Sequence, residues 1–145
     1  MQTHPHETRH NRKPETVEDL DIWQKSDQLC EELIRKTKSF PISEWPALGQ
    51  RIKNSAADVP IEIEKGFLKR NIQDKIHHYQ AAFDSFIELR YLIRLSESMG
   101  YIKKPAPLYR HMQEIDQMFT GLIRSMEKKT GPRTRPGGES SGSDA

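Results

Sequence analysis

Small and apolar side chains recur along this chain at steps of three, four and one, the spacing that places them on one face of a helix, in four separate stretches. In the first, Trp23, Cys30, Ile34 and Thr37 share a line with Ile22, Ser26, Leu29 and Leu33 beside it, which predicts a helix from about Leu20 to Lys38. The segment "SFPISEWP" ends it. Ser43 is a suitable N-cap for a second helix, with Pro46 tolerated in the first turn. That helix carries the stripe Leu48, Ile52, Ser55, Ala56, Val59, Ile63, Gly66 and Phe67 to about Lys69, and Asn71 marks the break. A third, Ile72 to about Met99, presents Ile76, Tyr79, Phe83, Phe86, Ile87, Leu89, Arg90 and Ile93. A band this wide predicts contact with more than one neighbour. Gly100 supplies a stop. Leu108, Met112, Ile115, Phe119, Leu122 and Met126 then define a fourth helix over about Ala106 to Lys129.

Four helical patterns joined by short connections, with no strand-like alternation, predict an all-α fold, an antiparallel up-and-down four-helix bundle over residues 17–130. Pro60 interrupts the second stripe. Inside a helix, proline removes one backbone hydrogen bond and its ring collides with the carbonyl four residues back, at a cost of roughly 3 kcal/mol. A kinked second helix is therefore expected, in which the carbonyls of Ala56 and Ala57 lose their ordinary donors. Such a kink can improve packing within one subunit or shape a subunit interface, and both readings stand at this point.

The flanks lack any apolar stripe. "MQTHPHETRHNRKPET" has no apolar residue after Met1, and "TGPRTRPGGESSGSDA" is rich in Gly, Pro and Ser, so a disordered arm over 1–16 and a disordered tail over 131–145 are expected.

A chain of 145 residues with a single cysteine is one domain able to build a core without disulfides. No signal peptide, membrane-length apolar run or lipidation signal is present in it, which favours a cytoplasmic protein. The net charge of +2 hides an asymmetry. Between Val17 and Ile34 six acids face only Lys25, a net charge of −5, whereas the segment from Tyr101 to Pro136 carries +5.

Little points to catalysis. A bundle-core di-metal site needs Glu-x-x-His pairs on two helices, and the only such spacing is Glu7 to His10, in the N-terminal arm. His4, His6 and His10 form at most a loose metal-binding cluster there, a solvated arm being the simpler reading. Cys30 sits on an apolar stripe with no base to activate it, and no glycine-rich phosphate loop precedes a helix. No enzyme, no cofactor and no metal are expected.

With these elements in place, the sequence resembles the bacterial four-helix-bundle proteins encoded within intervening sequences of large-subunit ribosomal RNA genes, whose relatives include the accessory variability proteins of diversity-generating retroelements. The resemblance rests on "EDLDIWQKSDQL" (18–29), "SFP" (39–41), "VPIEIEKGF" (59–67), "SFIELRYLIRLSESMGYI" (85–102) and "GLIRSM" (121–126). Around the proline, Pro60, Ile63 and Gly66 match the family pattern S-I-P-A-N-I-A-E-G. Its polar positions are replaced by Asp58, Glu62, Glu64 and Lys65. Glu88 matches a family glutamate. The resemblance implies a non-catalytic, ring-like homopentamer with a positive surface, associated with RNA or DNA and, in the retroelement branch, with a reverse transcriptase.

Two assignments follow for particular residues. Glu88, flanked by Ile87 and Leu89, is expected to form a structural ion pair with Arg51, Arg90 or Arg94. The basic residues Arg124, Lys128, Lys129, Arg133 and Arg135 would contact phosphates with weak sequence preference, or would meet the acidic first helix of the same or a neighbouring subunit. The resemblance favours nucleic acid. The alternative is a purely structural oligomeric scaffold that binds protein partners alone.

Overall fold

The computed structural model describes the backbone of residues 13–144 and side chains as far as Thr130. The expected N-terminal arm, with His4, His6, Glu7 and His10, lies outside the described residues up to position 12, and the expected tail over 131–145 lies outside the described side chains.

The described residues form four α-helices and no strand: α1 (Asp21–Thr37), α2 (Gln50–Leu68), α3 (Ile72–Ser98) and α4 (Ala106–Asp144). A 3-10 turn over Val17–Asp19 leads into α1. There the Asp19 carboxylate accepts the backbone N–H groups of Glu15 at 2.9 Å and Thr16 at 3.1 Å, and Val17 is turned into the core.

The entry to the second helix departs from the expected Ser43 cap. A 3-10 turn (Ile42–Glu44) passes into a π-turn (Trp45–Gly49), in which the Gln50 N–H reaches back to the Trp45 carbonyl. Pro46 has no N–H to give the carbonyl of Ile42, and the bonding around it is reorganised accordingly. From Gln50 the helix continues unbroken to Leu68 with Pro60 inside it and buried.

The ends of α3 follow local chemistry. The Asn71 side chain accepts the N–H groups of Gln73 at 2.7 Å and Asp74 at 3.2 Å, meeting two of the donors that every helix start leaves free. At the other end Gly100 takes φ +82°, and its N–H bonds the Glu97 carbonyl while that of Tyr101 bonds Ser96. These two bonds close the helix by satisfying terminal carbonyls, and the left-handed residue they need is glycine.

Each helix packs on two neighbours, α1 and α3 both touching α2 and α4, around one core. At its centre Phe86 and Phe119 are fully buried with ring centroids 5.9 Å apart, and Phe83 lies against both. Two residues assigned to stripes stay largely outside, Ile34 at 37% exposure and Ile87 at 43%. The inner face of α3 runs instead through Ile76, Tyr79, Ala82, Phe86, Leu89, Leu92, Ile93 and Ser96. Ile87 is one residue past Phe86, about 100° further around the helix.

Candidate functional site

Arg124, Lys128 and Lys129 all lie exposed on α4. The charge of Lys129 is felt at Lys75, in the first turns of α3, although 54 positions separate them in the chain. The Lys75 ammonium donates to the carbonyls of Phe67 at 2.9 Å and Gly66 at 3.3 Å, closing the C-terminal end of α2, where the helix dipole favours a cation. Burial, and then the charge of Lys129, hold Lys75 below the ordinary lysine range. Lys69 and Arg70, in the turn joining α2 to α3, are exposed beside this cluster. Among the described residues no carboxylate lies within ion-pair distance of Arg124, Lys128 or Lys129. The result is a basic end built from α2, α3 and α4. Arg133 and Arg135 lie beyond the described side chains.

Reading along the sequence did not find Lys75. Its signal was there, since a lysine so soon after the Asn71 cap opposes the positive end of its own helix dipole and needs a tertiary reason to stand there.

Among the described residues, no ion pair joins an acid of α1 to a lysine or arginine of α4. Where these helices touch, the polarity is the reverse: Lys25 of α1 pairs with Glu114 of α4 at 2.8 Å. The hydrogen bond and charge of Lys25 hold the Glu114 carboxyl below its usual range. Beside this pair, His111 Nε2 donates to the Lys25 carbonyl at 3.1 Å, while its Nδ1 stands 3.7 Å from Glu32.

Glu88 does pair across helices, with Arg51 at 2.6 Å, but as a surface group whose side chain is 45% exposed rather than as a charge within an apolar band. Its place one position beyond Ile87 carries it out of the core with that residue. Arg90 turns instead to Asp116 on α4 at 3.0 Å. Gly66 is buried against α3, and Pro60 is buried on the same helix. Glu62, one of the replaced polar positions, bonds His78 of α3 at 2.8 Å and stands 3.7 Å from Lys65. It ties α2 to α3 one turn before Gly66.

Cys30 is buried, and burial followed by Asp27 and Glu31 pushes its thiol up, away from the thiolate form that reacts. Among the described residues no group of three or more His, Cys, Asp and Glu side chains could hold a metal ion. No described helix is long and apolar enough to cross a membrane.

Compared with curated proteins, the chain has no significant match. A family model described as 23S rRNA-intervening sequence protein matches residues 18–121, from the turn before α1 to Gly121 of α4, and stops just short of Arg124. The match covers well over half of the chain: the protein belongs to the 23S rRNA-intervening sequence protein family.

Proposed function

We propose that this protein is a non-catalytic, homo-oligomeric accessory factor, an antiparallel up-and-down bundle of pentameric assembly that binds nucleic acid in the cytoplasm through the basic end of the bundle. The observation that supports this most is that Arg124, Lys128 and Lys129 stand exposed on α4 with no carboxylate, among the described residues, within ion-pair distance, while the charge of Lys129 is felt at Lys75. Like charges held together cost energy in the free protein, and an incoming phosphate relieves it. The bend that proline imposes on a helix is assigned in this reading to the subunit interface. Family membership supports a role tied to ribosomal RNA genes. An adjacent reverse-transcriptase gene with a repeat pair would place the chain in the retroelement branch, with the reverse transcriptase as partner. Placement inside a ribosomal RNA gene would put it in the other.

The test is binding as a function of salt. Each neutralised phosphate releases counterions, so log affinity should fall linearly with log salt at a slope of about −0.9 per contact on duplex and about −0.7 on single strands. Replacing Lys128, Lys129, Arg133 and Arg135 together with Gln should weaken all nucleic acids alike, flatten the slope and leave the mass of the assembly unchanged. Dissociation of the oligomer by that variant, with little affinity in the wild type at low salt, would favour a structural scaffold in which these charges join subunits.

A further inference from the structure

A groove of about 530 Å³ runs between α3 and α4 and reaches Arg124. Its volume falls within the range of small-ligand pockets. Phe83 and Ile123 give it apolar surface, with Phe83 half-buried and backed by Phe86 and Phe119 at centroid distances of 6.3 and 5.3 Å. Gln80 and Thr120 bring groups that donate and accept hydrogen bonds. Asp84 and Glu127 bring acceptors only. No aromatic residue is interleaved with the basic residues from Arg124 to Arg135, yet the fold carries one to Arg124 from α3.

We propose that the groove between α3 and α4 seats one unstacked base of a single-stranded nucleic acid on Phe83, with the flanking phosphates on Arg124 and Lys128. This rests on the proposed nucleic-acid function and adds to it the form of ligand. Single-strand sites pair a cationic track with an aromatic face on which a base stacks, and here the two are on adjoining helices. A ring braced by Phe86 and Phe119 loses little freedom when a base lies on it. Asp84 and Glu127 repel a phosphate from the groove itself while accepting from an exocyclic amino group or a ribose hydroxyl, so the base enters and the backbone stays outside. Arg124 and Lys128 are one turn apart, about 6 Å along α4, so both can follow a strand running past the groove.

The test uses the full-length protein and labelled 12-mers of single-stranded RNA and DNA, the same strands with one abasic position, and a duplex of equal length. Phe83→Leu should weaken single-strand binding by about fivefold or more, as expected for loss of a stacking platform, and leave duplex binding unchanged. An abasic strand should narrow the difference between wild type and variant. Because Phe83 also packs in the core, the wild type is examined separately with a 4-thiouridine strand, which on irradiation should crosslink within residues 80–87 or 120–127. Equal loss on duplex and single strand, or crosslinks confined to residues outside both segments, would overturn the base-seating assignment while leaving the basic end intact. No binding of any nucleic acid by the wild type at low salt would instead remove the underlying function. A change of oligomer mass in Phe83→Leu, with strand binding unaltered, would assign the groove to subunit contact and overturn the proposal.

Discussion

The Cβ that Gly66 lacks would lie 2.7 Å from Cε1 of Tyr79 and 2.9 Å from its Cδ1. Tyr79 is 3% exposed, and the same Cβ would also stand 3.2 Å from that of His78, so adding it requires the buried ring or the helix to shift. The separation of α2 from α3 is therefore set by an absent side chain. Gly66→Ala tests this with two opposed terms. Helix propensity favours alanine by about 1 kcal/mol, and overpacking a filled contact costs about 1–3 kcal/mol. A net loss of up to roughly 2 kcal/mol is expected in urea unfolding. A variant with a higher midpoint would show that the helices separate freely.

Two contacts of very different kind predict very different losses. Arg51 and Glu88 are 64% and 45% exposed in their side chains, so deleting either should cost under about 1 kcal/mol despite their 2.6 Å approach. Phe119 is fully buried among Phe83 and Phe86, and Phe119→Ala should cost about 3–5 kcal/mol. Equal destabilisation by the two substitutions would contradict the placement of Glu88 at the surface.

Tyr109 donates to Glu97 at 2.7 Å, and desolvation first, then this bond and the carboxylate charge, push its hydroxyl up to about 12. A raised folded-state value contributes stability that is whole below the unfolded tyrosine value of about 10 and is lost as pH rises through about 12. Tyr109→Phe should remove the latest part of the tyrosinate absorbance titration and reduce the loss of stability between those limits. An unchanged titration would show that the hydroxyl is not held by Glu97.

Pro60→Ala should restore the donor to the Ala56 carbonyl. Interior proline costs a helix roughly 3 kcal/mol, so the helix should gain, less whatever packing the buried ring supplies. If Pro60 bends α2 in the service of assembly, as proposed, light scattering coupled to size exclusion should find this variant smaller than the wild type while its helical circular dichroism is kept. A variant of unchanged mass and lower stability would return Pro60 to packing within one subunit.

The break at Asn71 and the stop at Gly100 were legible because capping is local: an Asx side chain reaches only two or three residues on, and a left-handed residue after a helix is nearly always glycine. Ile87 was placed wrongly, and Glu88 with it, because an apolar residue between Phe86 and Leu89 extends a band on paper whether or not a helix stands opposite it. The turn at Trp45–Gly49 was missed since Pro46 permits several helical starts, and neighbouring elements choose among them.

The sequence by itself determined that there would be four helices, where the first three end, and that the last would run into a cluster of basic residues, because period, capping and charge are properties of neighbours in the chain. Only the tertiary structure decided that Lys75 closes the end of α2 within the field of Lys129, that Phe83 meets the groove beside Arg124, and that Gly66 lies under Tyr79. Each of these depends on how far one helix is rotated and shifted against another. That is fixed by the simultaneous packing of all four side-chain surfaces in one core, and a one-dimensional pattern does not contain it.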